Sequence, residues 1–322
     1  MNVLVTGANG FIGRHLVTAL CKNGYEVRVA SRKKEGFSTA NVEVKYCDLL
    51  DVNNSLDEVV SGCSIIFHCA GELRNESMMR PLHVDATNRL LSAAVREVKS
   101  TGRKIHWVQL SSVGVYGPPT TGKADSRVVT EACPERPVGE YETTKADSDK
   151  SLLAMSDTPG FSYSIVRPSN VIGADMPNDS VRALGNMVRR GLFFYIGKKG
   201  AIATYVHVDD VIDVMLLCAT DPKASGEVFN VSNDCLFEEV IESMANAFSV
   251  SSPRVRMPEY LLRAVVCLMG KVIKLPITNE RINALVSRTR YPTDKLKVVL
   301  GFQPKVNVVD AIGEIVACTE AK

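Results

Sequence analysis

Thr6-Gly7-Ala8-Asn9-Gly10-Phe11-Ile12-Gly13 follows the apolar run Val3-Leu4-Val5 and opens an amphipathic segment, Phe11 to Lys22, with Gly24 placed to stop it. A short buried strand, a turn without bulky side chains and a helix start are read in that order. Such a helix start presents unpaired backbone N–H groups and the positive end of the helix dipole, and both favour an anion. The turn therefore reads as a cradle for the pyrophosphate of a dinucleotide. Gly7 permits the tight turn, Gly10 lets the backbone approach phosphate, and Gly13 lets the helix lie close against the sheet. A second strand, Tyr25 to Ala30, follows at once, so position carries the reading and not the glycines alone. The spacing is Gly-x-x-Gly-x-x-Gly, wider at its start than the more familiar Gly-x-Gly-x-x-Gly.

At 322 residues, 45% of them hydrophobic, the chain is long enough for one large core or two smaller ones. A net charge of +2, spread without long runs, offers no field for a polyanion, which argues against nucleic acid. The nine cysteines are odd in number and lack metal-ligand spacing, and the five histidines show no paired spacing, so no metal is expected. Cysteines inside apolar runs, such as Cys69, Cys218 and Cys267, suit a reducing compartment. Met1-Asn2-Val3 lacks the charged and apolar regions of a secretory signal, and cytoplasmic residence is the expectation. The apolar stretch Tyr260 to Leu275 is interrupted by Arg263, Lys271 and Lys274; it is too charged to span a bilayer and reads as a helix packed on the core.

Strand-like and helical runs alternate through the first half. Val42 to Cys47 precedes Ser55 to Val60, Ile65 to Cys69 precedes Val84 to Val98, Ile105 to Leu110 precedes Tyr141 to Met155, and Ser162 to Val166 follows. That rhythm predicts an α/β fold of Rossmann type, a doubly wound parallel sheet covered on both faces. After Arg167 the rhythm changes to helices separated by short strands: Val181 to Arg190, Phe193 to Ile196, Val208 to Ala219, Val228 to Val231, Glu238 to Phe248 and Arg254 to Arg256. Residues 1–170 are thus read as a dinucleotide-binding domain, with 204–232 returning to it. Residues 171–322 are read mainly as a smaller C-terminal substrate-binding region.

Tyr141-Glu142-Thr143-Thr144-Lys145 sets a phenol and an ammonium one helical turn apart on one face. Tyrosine titrates near 10, and a fixed positive charge beside it favours the phenolate, so Lys145 is expected to draw Tyr141 down toward useful acid–base strength. Upstream, Ile105 to Leu110 runs into Ser111-Ser112-Val113-Gly114-Val115-Tyr116-Gly117, which places hydroxyls at the carboxyl end of a parallel strand, where ligands are received.

Together, Thr6 to Gly13, Ser112 with Val115-Tyr116-Gly117, and Tyr141 with Lys145 resemble the extended short-chain dehydrogenase/reductases of the nucleotide-sugar epimerase/dehydratase group. The resemblance runs nearly full length and takes in His68-Cys69-Ala70-Gly71, Arg167-Pro168-Ser169-Asn170 and Tyr205-Val206-His207-Val208-Asp209-Asp210-Val211. It implies that Tyr141 exchanges a proton with a substrate hydroxyl or carbonyl while the nicotinamide exchanges a hydride with the same carbon. It further implies that Ser112 holds that oxygen and that Lys145 binds the ribose. By the same resemblance Gly7, Asn9, Gly10, Phe11, Ile12, Gly13, Asp48, Leu49, Cys69, Ala70, Gly71 and Pro168 border the cofactor, and the protein is a homodimer.

The second strand ends Ala30-Ser31-Arg32-Lys33, without the acid that would receive a ribose 2′-hydroxyl. Ser31 and Arg32 suit a 2′-phosphate instead and favour NADP(H) over NAD(H). Val113 and Gly114 stand where the family's dehydratases carry an acidic pair, which disfavours dehydration and leaves a 4-ketoreductase or 4-epimerase of a nucleotide-activated sugar. The arginine that many family members place before the Tyr-Val-His-Val-Asp-Asp segment is replaced by Gly200-Ala201-Ile202-Ala203-Thr204, so the grip on a diphosphate is open, with Lys198, Arg189, Arg190 or Arg288 as substitutes. Glu72, Ser112, Val113 and Asn170 are candidate substrate contacts, whereas His207 reads as a packed strand residue. Two other readings stand beside the sugar enzyme. One is a reductase of hydrophobic ketones, resembling dihydroflavonol reductases and hydroxysteroid dehydrogenases; the other is a non-catalytic NADP-sensing regulator.

Overall fold

The computed structural model describes residues 1–33, 41–118, 126–269 and 278–318. Seven strands form one sheet: β1 (Asn2–Thr6), β2 (Glu26–Ser31), β3 (Val42–Tyr46), β4 (Ile65–His68), β5 (Ile105–Leu110), β6 (Phe161–Pro168) and β7 (Glu227–Val231). Their spatial order is β7-β6-β5-β4-β1-β2-β3, and every neighbouring pair is parallel. Val3, Leu4 and Val5 are all fully buried, as expected of a strand covered on both faces. The order reverses between β1 and β4, and a crevice for ligands opens beyond the carboxyl ends of strands at such a switch.

Alternate residues face opposite layers. Val3, Val5, Val27, Val29 and Phe67 pack with α1 (Phe11–Lys22). Leu4, Ile66, Trp107 and Ile165 pack with α2 (Ala86–Thr101) and α3 (Glu140–Leu153) on the other side. Helix α1 ends where the sequence places its stop: Asn23 caps it and Gly24 follows with φ +76°. Helix α2 starts later than the apolar pattern suggests. Pro81 lacks the N–H that a continuous helix needs, and Pro81–Asp85 forms a π-turn between the short helix Glu76–Arg80 and α2. The helix expected over Ser55 to Val60 contracts to Asp57–Val60.

Helices α4 (Ser180–Arg189), α5 (Val208–Thr220), α6 (Phe237–Ala247), α7 (Glu259–Met269), α8 (Asn279–Val286), α9 (Asp294–Leu300) and α10 (Val308–Ala317) complete the described chain. Of these α5 lies on the sheet beside α1, while α4, α6 and α10 enclose a separate core of Val181, Val240, Ile241, Met244 and Ile312. Two-stranded pairings tie this region to itself: Asn170–Ile172 with Tyr205–His207, Ile202–Ala203 with Cys235–Leu236, and Tyr195–Ile196 with Arg256–Met257.

Helix α7 departs from its expected burial. Leu262 packs on Ile196 and Ile282, yet Tyr260 and Leu268 are 72% and 75% exposed, and Leu261 and Val265 are exposed as well. One apolar position per turn suffices to seat it on a small cluster, so most of its apolar residues face outward; residues 270–277, over which the pattern continued, lie outside the described residues. No described helix is long and apolar enough to cross a membrane.

Candidate functional site

The site begins at the glycine turn. Gly10 N donates to Gly7 O at 2.9 Å, and Gly7 takes φ +68°. A Cβ on Gly7 would come within 2.6 Å of the Cys69 main chain, so the turn lies flat against the residues that follow β4. A Cβ on Gly13 would meet Gly7 O at 2.1 Å; this glycine lets the helix close onto the turn itself rather than onto the sheet. Gly10 has only Gly7 O near, at 3.1 Å, and is otherwise open. Helix α1 has no side-chain cap and no acidic residue in its first turn. An uncapped helix start behind a flat, side-chain-free turn fits a pyrophosphate.

Around that turn, the predicted cofactor residues gather in part. Phe11 and Ile12 are half-buried, Ala70 and Pro168 are buried, and Gly71 is exposed. Asn9 Nδ2 donates to Ser31 Oγ at 2.8 Å, which ties the turn to the end of β2, and Lys33 N donates to the same hydroxyl at 3.0 Å. The Ser31 hydroxyl is thus engaged in local structure. Arg32 is exposed and has no hydrogen bond or ion pair among the described residues. Asp48 Oδ1 accepts from Leu50 N at 3.0 Å, which makes it a turn-former, and Leu49 is buried. Arg89, which no motif pointed to, holds this loop through Leu49 O, Asp51 O and Asn54 O.

Beyond β4 and β5 the three hydroxyl and amine side chains converge. Ser112 caps the turn Val113–Tyr116, its Oγ accepting from Gly114 N at 3.1 Å. The Tyr141 phenol, near the start of α3, feels the Ser112 hydroxyl, which favours its ionised form. Lys145, 5% exposed, donates from Nζ to Leu110 O at 2.9 Å. Burial pushes the Tyr141 phenol up to about 12, against the pull of Ser112, and the Glu142 and Asp149 carboxylates push the same way. This reverses the expectation that Lys145 draws the phenol down: the ammonium is turned to a main-chain oxygen, and burial dominates. Burial also lowers Lys145, while Asp149 one turn further along α3 supports its charge.

Asp149 is fully buried. Its Oδ2 accepts from Ser111 Oγ at 2.7 Å and from Arg167 Nε and Nη2 at 3.2 and 2.9 Å, while Oδ1 has no partner among the described residues. Arg167 also pairs with Glu135 and donates to Tyr116 OH, whose proton goes to Asn230 Oδ1. An acid four residues after Lys145 is visible in the sequence as an i,i+4 spacing; its ion pair with Arg167 is not. Glu142 was also missed. A Cβ on Gly114 would meet Glu142 Cγ at 2.9 Å, so the residue after Tyr141 covers the turn that holds Ser112.

The candidate substrate contacts fare differently. Val113 is buried in the turn after Ser112. Glu72 turns back on its own loop, Oε1 accepting from the N–H groups of Leu73, Arg74 and Asn75, and these bonds hold it below the usual carboxylate range. Asn170 is exposed and donates from Nδ2 to Thr204 O at 2.9 Å. His207 caps α5, accepting from Asp209 N, and Asp210 accepts from Lys305 N and Val306 N. Ala201, Ile202 and Ala203 are buried. Of the substitute cations, Lys198 and Arg190 are exposed, Arg288 donates to Lys199 O, and Arg189 lies over the Phe248 ring.

With a glycine turn at the switch point, Ser112 after β5, and Tyr141 and Lys145 on α3, the chain matches the NAD dependent epimerase/dehydratase family over residues 3–232. The chain belongs to that family. Members are enzymes with a nicotinamide cofactor, and this chain is such an enzyme. Among its family relatives, a 4-hydroxy-2-methyl-3-oxo-4-farnesyl-3,4-dihydroquinoline-1-oxide ketoreductase of Stigmatella aurantiaca is 29% identical over 71% of this chain and 67% of its own. The decarboxylating sterol-4-alpha-carboxylate 3-dehydrogenase of Mus musculus is 24% identical over 96% of this chain and 88% of its own. A solved structure of the same fold, MoeE5 in complex with UDP-glucose and NAD, superposes with a TM-score of 0.75 at 24% identity, covering 100% of this chain and 99% of the other.

Proposed function

We propose that the protein is an NAD(P)-dependent oxidoreductase that acts at a secondary alcohol or ketone carbon, with a ketone reduced in the direction its site favours. The observation that carries this reading is the meeting of Ser112, Tyr141 and Lys145 beside the glycine turn. The turn of Gly7, Gly10 and Gly13 would hold the dinucleotide, whose reduced nicotinamide would supply a hydride to the carbonyl carbon. As the carbonyl π pair moves onto oxygen, that oxygen takes the proton of the Tyr141 phenol, and solvent reprotonates the phenolate. A phenol held up to about 12 is protonated at neutral pH, which is the form a reduction needs. Ser112 hydrogen-bonds the same oxygen. Lys145, bonded to Leu110 O with the Asp149 carboxylate supporting its charge, holds the ribose.

For substrate we propose a hydrophobic cyclic ketone or alcohol in place of a nucleotide sugar. The marks that favoured a sugar have other employment: Tyr116 is buried and bonded to Asn230, Asn170 holds Thr204, and Asp210 anchors Lys305 and Val306. Where a diphosphate would need a cation, Ala201, Ile202 and Ala203 form a buried apolar run. Relatives named for a farnesylated quinoline and a sterol carboxylate support the same choice. The nucleotide-sugar 4-ketoreductase or 4-epimerase remains the second reading, resting on the family itself. Arg32, exposed and without a partner among the described residues, supports NADP(H) over NAD(H). Residues 171–322 are mainly the substrate side in this reading, the nine free cysteines suit the cytoplasm, and a homodimer rests on the family resemblance alone.

The test incubates the protein with NADPH or NADH and three substrate sets: UDP- and dTDP-sugars, 3-ketosteroids, and flavanone-type ketones. Cofactor loss with a steroid or flavanone supports the reading. Sugar isomerisation without added cofactor establishes an epimerase and overturns it, and full biological activity of Tyr141→Phe would point to the sensor.

A further inference from the structure

No motif singles out His83, yet three parts of the site meet on its ring. It lies on the π-turn Pro81–Asp85 and is 1% exposed. A π-turn inserts one extra residue per turn and redirects a side chain, and such turns recur at functional sites. Here the redirected ring enters the layer between β4 and α3. Its Nε2 lies 2.8 Å from Glu72 N, its Nδ1 2.8 Å from Thr144 Oγ1, and its plane stands edge-on to the Tyr141 ring, with centroids 5.7 Å apart. A Cβ on Gly71 would sit 3.4 Å from His83 Nε2 and 3.5 Å from Lys145 Nζ, so the same bare stretch of backbone covers both nitrogens.

The hydrogen bonds assign the tautomer. Glu72 N–H can only donate, so Nε2 carries the lone pair and Nδ1 the proton, which goes to Thr144 Oγ1. Thr144 Oγ1 donates in turn to Glu140 O at 2.7 Å. That chain ends on a main-chain oxygen that cannot accept a proton for transfer onward, so His83 is not a relay. Burial first and the Lys145 ammonium second hold the imidazole at about 3, and it stays neutral with its lone pair available to Glu72 N. A charged ring would lose that bond and face Lys145.

We propose that His83 is a positioning residue, which holds the Tyr141 ring edge-on and straps Gly71-Glu72 over Lys145 so that phenol and ammonium keep one geometry. The inference rests on the reading of Tyr141 as proton donor and adds the residue that aims it. Gln at this position reaches the Glu72 N–H with an amide oxygen, whereas Leu fills the space and accepts nothing.

The experiment uses the full chain with carbon-13 at Cζ of its tyrosines, the Tyr141 signal being assigned by its loss in Tyr141→Phe. His83→Leu is expected to shift or broaden that signal while leaving the remaining tyrosine signals in place, and His83→Gln to restore it. NADPH affinity in His83→Gln is expected to stay within about threefold of the parent, because the restored bond to Glu72 N keeps Gly71-Glu72 and Lys145 in place. With a ketone that the parent reduces, His83→Leu is expected to lower kcat by about tenfold or more with KM little changed, the mark of a misaimed proton donor. An unmoved Tyr141 signal in His83→Leu overturns the proposal, as does an equal shift of all tyrosine signals in both variants. Failure of the parent to bind NADPH or NADH overturns the dinucleotide reading separately, because the Tyr141 signal is read without cofactor.

Discussion

Lys145 Nζ donates to Leu110 O at 2.9 Å, which fastens the buried cation of α3 to the end of the strand that delivers Ser111 and Ser112. The ammonium is therefore part of the sheet-to-helix join as well as the site. Lys145→Met is expected to lower turnover by about a hundredfold or more. Lys145→Arg should not restore it, since a planar fork does not match a single carbonyl in a closed space. Steady-state kinetics beside NADPH titration check this, and a Met variant with parental kcat would refute it.

The phenol at about 12 gives the two reaction directions different pH dependence. Reduction consumes the protonated form and is expected to be nearly level from pH 6 to 9; oxidation consumes the phenolate and should rise about tenfold per unit over the same range. Glu142→Gln removes a carboxylate that raises the phenol, so the oxidation profile should move to lower pH. Rate profiles in both directions decide it.

Arg32 is exposed and free of other bonds among the described residues, so its removal tests the cofactor with little structural consequence. Arg32→Asp is expected to weaken NADPH by about tenfold to a hundredfold through loss of a charge-assisted contact, and NADH far less. Fluorescence titration with both cofactors reads the difference, and equal losses would remove the argument for the 2′-phosphate.

Two glycines in left-handed or crowded places should respond differently to one methyl group. Gly13→Ala drives a Cβ to 2.1 Å from Gly7 O, a main-chain atom that can move only with the whole turn, and should cost about 3 kcal/mol or more together with dinucleotide binding. Gly24→Ala has nothing within 4 Å of its Cβ and bears only the strain of φ +76°, about 1 kcal/mol. Urea unfolding at neutral pH, with and without NADPH, separates them.

Acid stability should be governed by buried histidines. His68 and His83 are held at about 3 and His106 at about 4, in each case mainly by burial, against 6.5 when exposed. A folded value below the unfolded one means that stability is complete above about pH 6.5. It is lost as pH falls from 6.5 toward 3, by about 1.4 kcal/mol per unit for each histidine as an upper bound. The carboxylates held low, Glu43, Glu72 and Asp175, add their losses only below about pH 4.5. Urea midpoints between pH 7 and 5 should therefore fall, and His106→Gln should make that fall shallower.

The parallel sheet, the glycine turn and the Ser112, Tyr141, Lys145 set were legible in the chain because each depends on short-range pattern. Val3-Leu4-Val5 declares a strand buried on both faces, three glycines at fixed spacing declare a bare turn, and an i,i+4 pair declares a shared helix face. Asp149 was equally within reach of that last rule. The substrate marks were less legible: Tyr116, Asn170, Asp210 and Glu72 are polar residues at strand ends, and whether such a group meets a ligand or its own fold depends on partners far along the chain.

The order of apolar, glycine and hydroxyl residues by itself determined a dinucleotide-binding α/β protein with a tyrosine–lysine pair, since backbone conformation at glycine and side-chain periodicity are local properties. Tertiary structure alone decided the charge states and the aim. Burial raised Tyr141 and kept His68 and His83 neutral, and the π-turn after Pro81 carried His83 to Tyr141 across 58 positions of chain, because desolvation and ring contact exist only once distant segments share one interior.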